Sequence, residues 1–307
     1  MTPAVSIVLP TFERLELLRA TIESVFRQTL QDWELIVADD GSGSDVQAYL
    51  DELARDPRVR VLRLEHSGNA ARVRNRALQL VRSEYVAFLD SDDLWEPAKL
   101  ERQLALMRGS PGCEWGYPAY TMIDGSGAPL PSERDRQWTP YGGRIFREVV
   151  RTVASIPIAG VIASAGLIRD VGGFDEAIDC SEDYDLWMRL ALRSPACVID
   201  EPLVRVRRHA ANTARRAGAA HVARDYSLRK LATQADAAQR ALLAEERSRN
   251  ALARARAIAA RGGRWHALGV VAGSLPFGWK YAGWWYGAAR VVARACIGPR
   301  RDARESP

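Results

Sequence analysis

Four short β-prone runs, Val5 to Leu9, Trp33 to Ala38, Val59 to Leu64 and Tyr85 to Leu89, alternate with stretches of helical periodicity up to about Asp93. Leu15, Leu18, Ile22, Val25 and Phe26 recur at spacings of three and four, so the segment from Arg14 to Arg27 can lay one apolar face on a sheet. Comparable stretches run from Asp45 to Ala54 and from Asn69 to Val81. Strands joined through helices imply an α/β fold: a mostly parallel sheet covered on both faces, with ligands at the carboxyl ends of its strands. The loops Pro10 to Glu13, Asp39 to Ser44 and Asp90 to Asp93 all fall at that edge.

A chain of 307 residues is long enough for one large α/β domain with an extension, or for two modest domains. With 47% hydrophobic and 26% charged residues it is not a wholly disordered polymer. The net charge of +5 sets 43 basic against 38 acidic residues, a modest excess that calls for no nucleic-acid partner and lies mainly toward the C-terminus. Met1 to Leu9 has no basic leader before an apolar stretch, so no secretion signal is expected and the catalytic part is expected in the cytosol. Cys113, Cys180, Cys197 and Cys296 form no C-x-x-C pair, which argues against zinc and is read as four reduced, packed thiols.

From Pro97 to His209 the alternation weakens and Pro, Gly and Trp become frequent, read as turns and loops around a second substrate pocket. Ala and Arg then dominate to about Ala260, a helix-favouring mixture with little to build a separate core. The expected organisation is a domain over 1–215 in two halves, 1–95 and 96–215, followed by a helical extension over 216–307. Within the extension, 265–297 mixes Trp265, Phe277, Trp279, Tyr281, Trp284, Trp285 and Tyr286 with Lys280, Arg290 and Arg294. Its apolar runs fall short of the roughly 20 residues of a spanning helix. Rings with basic residues suit a bilayer interface; the alternative is a helical hairpin packed on protein.

Asp90-Ser91-Asp92-Asp93 directly follows the apolar strand Tyr85 to Leu89, and carboxylates at the mouth of a parallel sheet can hold a hard divalent cation and a diphosphate. Glu182-Asp183 opens an amphipathic helix, where the dipole favours ionised carboxylates. Arg74 and Asn75, flanked by Arg72 and Arg76, lie in the helix after Gly68, whose amino end can attract phosphate.

Taken in order, Val5 to Phe12, Ala38-Asp39-Asp40-Gly41-Ser42, Arg74-Asn75, Asp90-Ser91-Asp92-Asp93 and Ser181-Glu182-Asp183-Tyr184 resemble the motifs of a family 2 glycosyltransferase of the GT-A fold, over about Pro3 to Thr213. The resemblance implies a nucleoside pocket made by Pro10, Thr11, Phe12 and Asp40. Phe12 would stack on the base, and Asp40 would accept the imide N–H of uracil or thymine. Asp39 would position that loop or bind ribose, unless it is only a turn residue. Arg74 and Asn75 would lie by the nucleotide in preference to Arg72 or Arg76, and a solvated helix face is the even alternative for any of these arginines. Asp90 and Asp92 match the family's D-x-D pattern, with Ser91 between them on the donor. Asp92 would ligate Mn²⁺ or Mg²⁺, with Asp90 and His209 as further ligands, although His209 is equally readable as a surface or packed histidine. Asp93 is read as structural, a helix N-cap or a partner of the ligands. Asp183 would be the catalytic base of an inverting displacement, with Glu182 orienting acceptor or base. Trp95 and Trp187 would stack on acceptor sugars, or simply pack. The turn Gly172-Gly173 would let backbone approach substrate.

The implied activity is transfer of a sugar from a UDP- or dTDP-linked donor to a glycan or lipid-linked glycan in cell-surface polysaccharide assembly, peripheral at the inner face of the membrane. A sugar-nucleotide nucleotidyltransferase and an inactive glycan-binding scaffold of the same fold are the competing readings. Pro10-Thr11-Phe12-Glu13 offers no Gly-rich cradle for the first of these.

Overall fold

The computed structural model describes residues 2–130, 138–208 and 217–297. The chain divides into two compact units, 1–215 and 216–307.

The first unit opens with β1 (Val5–Thr11), α1 (Leu15–Phe26), β2 (Trp33–Asp39), α2 (Ser44–Leu53), β3 (Val59–Arg63), α3 (Ala70–Leu78) and β4 (Tyr85–Phe88). It continues with β5 (Leu94–Trp95), α4 (Lys99–Gly109), β6 (Trp115–Ile123), β7 (Ile162–Ser164) and β8 (Ala196–Arg207), with short helices at Phe146–Val150 and Ala165–Asp170 and a longer one at Glu182–Arg193. All eight strands form one sheet in the order β3-β2-β1-β4-β7-β6-β8-β5. β1 to β4 pair in parallel, as the strand–helix alternation requires, and β1 and β2 end side by side at the pair Thr11 and Asp39. Inward residues of those strands, among them Val5, Ile7, Leu9, Leu35 and Val37, share one core with Leu18, Ile22 and Val25 of α1.

The region 97–209 is not the loop-dominated stretch that its Pro and Gly content suggests. It supplies β6, β7 and β8, of which β7 joins β4 antiparallel and β6 lies parallel to β8. The strand signal is disguised because β6 carries Gly116 and Pro118, and the β6–β8 register shifts at Pro118/Ala119 and Ala119/Tyr120. Gly116 is there for space: a Cβ would sit 2.6 Å from the Cys197 carbonyl oxygen. The same pairing overturns the expectation of four reduced thiols, because Gly116 opposite Cys197 brings Cys113 within a Cα separation of 6.0 Å, and the two are joined as a disulfide. Cys180 is buried and lies outside that disulfide.

The second unit consists, among the described residues, of the helices Ala217–Ala232, Ala237–Ala260, Arg264–Gly278 and Ala282–Ile297. Asp236 starts the second with a reciprocal cap, its carboxylate accepting from Gln239 N while the Gln239 side chain accepts from Asp236 N. Contrary to the composition-based reading, this unit has a core of its own, built from Leu252, Ala255, Ala267, Val271, Trp284, Ala288 and Val291. Among the described residues, no helix is long and apolar enough to cross a membrane.

Candidate active site

The β1–α1 loop begins the site. Thr11 is buried and its Oγ1 has no hydrogen-bond partner, while Phe12 is exposed with its ring stacked on His66, centroids 4.1 Å apart. Glu13 and Arg14 both adopt left-handed φ values of 57° and 59°, a conformation that costs non-glycine residues about 1 kcal/mol or more. The loop is held there by β2–α2: Glu13 N donates to Ser42 Oγ (2.8 Å) and Gly43 N donates to Glu13 Oε1 (2.9 Å).

Asp39 is fully buried and shapes that second loop, accepting from Ser42 N and from Gln47 Nε2. Asp40 lies against the neighbouring 66–68 segment. Its Oδ1 accepts from Ser67 N and Ser67 Oγ, both at 2.9 Å, and its Oδ2 accepts from Gly68 N at 2.8 Å with His66 Nδ1 3.2 Å away. Asp40, His66, Ser67, Arg72 and Arg76 line one cleft of about 500 Å³. In this arrangement the Asp40 carboxylate fixes the cleft wall, three of its acceptor positions being taken by the 66–68 segment.

Arg74 joins the two acidic motifs. Its guanidinium is buried and donates from Nη2 to Asp90 Oδ1 (2.7 Å) and from Nη1 to Glu182 Oε1 (2.6 Å), so residues 108 positions apart are drawn into one assembly. Paired carboxylates on both sides hold the Arg74 pKa above its ordinary value against the cost of burial. Asn75 serves the same junction, exchanging hydrogen bonds with Phe174 backbone (Nδ2 to O and N to Oδ1, each 2.9 Å) and donating to Glu176 Oε1. Gly173 is obligatory in this turn, having φ 66° and leaving only 2.8 Å between a Cβ and Asn75 Oδ1.

Asp90, Asp92 and Asp93 each offer a carboxylate oxygen within 4.8 Å of the others. Asp93 is buried, and desolvation with the charges of Asp92 and Asp90 pushes its pKa well above the usual carboxylate range. Three converging carboxylate oxygens form a donor set that fits a hard divalent cation. Arg14 Nη1 approaches Asp92 Oδ2 at 3.3 Å. Arg207 braces the loop from behind: its N donates to Asp93 Oδ1 (2.8 Å), its Nε to Asp92 O (2.8 Å) and its Nη1 to Gly125 O (2.9 Å). Asp93 is therefore anchored to β8 rather than capping α4, which is preceded by Ala98.

At the start of the Glu182 helix, Ser181 takes a left-handed φ of 61° and Asp183 accepts from Tyr184 N. Burial, followed by the charge of Glu182, raises the Asp183 pKa to about 7. That value suits a group that must exchange a proton near neutrality.

Residues 6–155 match the family model Glycosyl transferase family 2. The first unit belongs to that family. A putative teichuronic acid biosynthesis glycosyltransferase of Bacillus subtilis, TuaG, is 36% identical over 42% of this chain and 51% of its own length. An Escherichia coli enzyme, the UDP-Glc:alpha-D-GlcNAc-diphosphoundecaprenol beta-1,3-glucosyltransferase WfgD, is 40% identical over 34% of this chain and 40% of its own. The matches thus span about half or less of these relatives. The crystal structure of S. aureus TarS 1-349 in complex with UDP superposes with a TM-score of 0.71 at 18% identity, covering 96% of this chain and 89% of that one. The fold is GT-A with a helical C-terminal region.

Within this family 2 domain, Pro10 and Thr11 end β1, Phe12, Asp40, Asp90, Ser91 and Asp92 sit on the loops at the expected sheet edge, and Glu182 and Asp183 open their helix, whereas Arg74 and Asn75 act between protein groups. Two expected acceptor residues are corrected. Trp187 has no exposed surface and stacks on Trp115, and Trp95 is buried with its Nε1 donating to the Ala159 carbonyl and Lys99 over its ring, so neither presents a face to a sugar. His209 lies outside the described residues. Sequence reading missed His66, Arg14 and Arg207. The basic run Arg205 to Arg208 was the only trace of the last, since its role depends on β8 reaching the acidic loop.

Proposed function

We propose that this protein is an inverting, metal-dependent glycosyltransferase that moves a sugar from a UDP- or dTDP-linked donor to a hydroxyl of a glycan or lipid-linked glycan in cell-surface polysaccharide assembly. The observation that carries this reading is the Arg74 bridge, which ties the Asp90–Asp93 cluster to the Glu182-Asp183 pair in a single site. Asp183, poised with a pKa of about 7, takes the proton of the acceptor hydroxyl. The oxygen then forms its bond to the anomeric carbon as the bond to the donor diphosphate breaks on the opposite face, and one such displacement inverts the configuration. Glu182, held by Arg74, orients the acceptor beside Asp183.

Asp92, Asp90 and Asp93 are the oxygen donors that would hold Mn²⁺ or Mg²⁺, which when bound neutralises charge on the departing diphosphate. Pro10, Thr11, Phe12 and the Asp40-anchored cleft receive the nucleoside. The fold likeness to a UDP complex supports a uridine donor, and the printed activity of the E. coli relative supports a diphosphate-lipid acceptor. The aromatic and basic segment 265–297 supports a peripheral position at the inner face of the membrane.

The test is a panel of sugar nucleotides with Mn²⁺ or Mg²⁺, scored for binding and for hydrolysis. A metal-dependent response to one UDP- or dTDP-sugar is expected. Synthesis of a sugar nucleotide from a nucleoside triphosphate, or no nucleotide binding at all, would overturn the reading.

A further inference from the structure

The helical hairpin Arg264–Gly278 and Ala282–Ile297 is built with its small residues inward and most of its large ones outward. Ala267, Val271, Ser274 and Gly278 of the first helix face the core of the second unit, together with Trp284, Ala288 and Val291 of the second. On the outer side stand Trp265, 86% exposed, then Ala272, Leu275 and Trp279 at helical spacings of seven, three and four, so they form one stripe. The second helix adds Trp285, Ala289 and Val292 at spacings of four and three, beside a parallel row of Tyr286, Arg290 and Arg294. At the hairpin's turn the stripes meet, where Trp285 Nε1 donates to the Trp279 carbonyl at 2.8 Å.

Charge decides what covers this face. Arg264, Lys280, Arg290 and Arg294 are all exposed, and the segment 264–297 contains no Asp or Glu. Two copies meeting through these stripes would bring eight like charges together with no carboxylate between them, whereas an anionic surface neutralises them. Beside the turn, a cleft of about 520 Å³ is lined by Arg249, Arg256, Lys280, Tyr281 and Tyr286, with Glu245 the one carboxylate in its wall. Arg249 pairs with Glu245 and Glu246, and Arg256 and Lys280 are the remaining cations of that wall.

Resting on the membrane-peripheral reading above, we propose that the outer stripes of this hairpin are the docking surface for an anionic lipid bilayer. Trp265, Trp279, Trp285 and Tyr286 lie at headgroup depth, and the Arg256–Lys280 cleft takes a lipid phosphate. Helices of 15 and 16 residues are about 22–24 Å long, shorter than the roughly 30 Å hydrocarbon core, so the hairpin lies in the interface and does not span it. Indole and phenol rings favour that depth, and each basic side chain near an anionic surface adds attraction that salt screens.

The test uses the full chain with vesicles of phosphatidylcholine alone and of phosphatidylcholine mixed with phosphatidylglycerol, read by co-sedimentation and by tryptophan emission. Expected are binding and a blue shift only with the anionic vesicles. Arg290→Gln with Arg294→Gln should weaken binding by about 30-fold, and Trp265→Ser with Trp279→Ser and Trp285→Ser should abolish it. Tyr226→Ser, an exposed ring outside the hairpin, should bind vesicles as the parent does. Circular dichroism and sugar-nucleotide binding should be unchanged in every variant. Vesicle binding that survives the triple tryptophan variant overturns the docking surface, as does a concentration-dependent dimer that the triple variant dissolves. Absence of vesicle binding by the parent overturns it too, and intact nucleotide binding in the same samples would leave the glycosyltransferase assignment standing.

Discussion

Replacing Arg74 by Met leaves Asp90 and Glu182 facing each other with no cation between them. Severing a buried ion pair costs about 3–5 kcal/mol, because the surviving charge stays desolvated. Here the Glu182 arm is 13% exposed and the Asp90 arm 33% exposed, so water screens the second and its share falls toward the ~1 kcal/mol or less of a surface pair. The expected loss is therefore about 3 kcal/mol, measured by urea denaturation at pH 7. A second consequence is independent of stability. The Arg74 charge lowers the Asp183 pKa, so its removal moves that pKa above about 7 and shifts the rising limb of the pH–kcat/KM profile to higher pH. Arg74→Lys keeps the charge without the two-pronged fork, and should restore the pH limb more fully than the stability. A variant Arg74→Met with unchanged midpoint and unchanged limb would refute the bridge as the link between the two acidic motifs.

Four further outcomes follow from the same geometry. Asp183→Asn should lower turnover by at least about a hundredfold while donor binding survives; retained turnover would remove Asp183 as the base. Because folding raises the Asp183 pKa from 3.8 to about 7, the stability it permits is full below pH 3.8 and is lost as pH rises through 7, so Asp183→Asn should melt higher than the parent at pH 8 and alike at pH 3. Asp92→Ala should eliminate the part of donor binding that depends on Mn²⁺ or Mg²⁺, and calorimetric titrations with identical metal dependence would count against the cluster. Trp187→Ala should cost about 3–5 kcal/mol as a core truncation; normal stability with selective loss of acceptor affinity would restore it to the sugar site.

The parallel half was legible because its information is local: each of β1 to β4 is an apolar run followed by a helix with its own periodicity. The later strands were not, since β6 exists through its pairing with β8, some 80 positions onward, and carries a glycine and a proline that read locally as breakers. The acidic residues were legible as chemistry but not as partnerships. That Asp93 is held by a β8 backbone N–H, that Asp40 is tied to the 66–68 turn, and that Arg74 faces inward are all facts of tertiary contact. Trp95 and Trp187 failed for the opposite reason: a tryptophan beside a motif looks like a sugar platform until the elements packed over it are known.

The brace on the acidic loop also sets an order of assembly. Asp93 Oδ1 receives Arg207 N across 114 residues, and Trp95 pairs with Val204, whereas β1 meets β2, the strand that ends at Asp39, through one short strand–helix–strand connection, and β4, which leads into Asp90, joins β1 before β8 exists in the growing chain. Near contacts close quickly and distant ones slowly, because the chain entropy of the long loop is lost before its contacts form. In a nascent chain the four parallel strands can therefore collapse while the carboxylates at their mouth are still unbraced. The geometry of the Asp90–Asp93 loop is completed only when β8 docks, so under the proposed function the first half of the fold cannot by itself hold the cation.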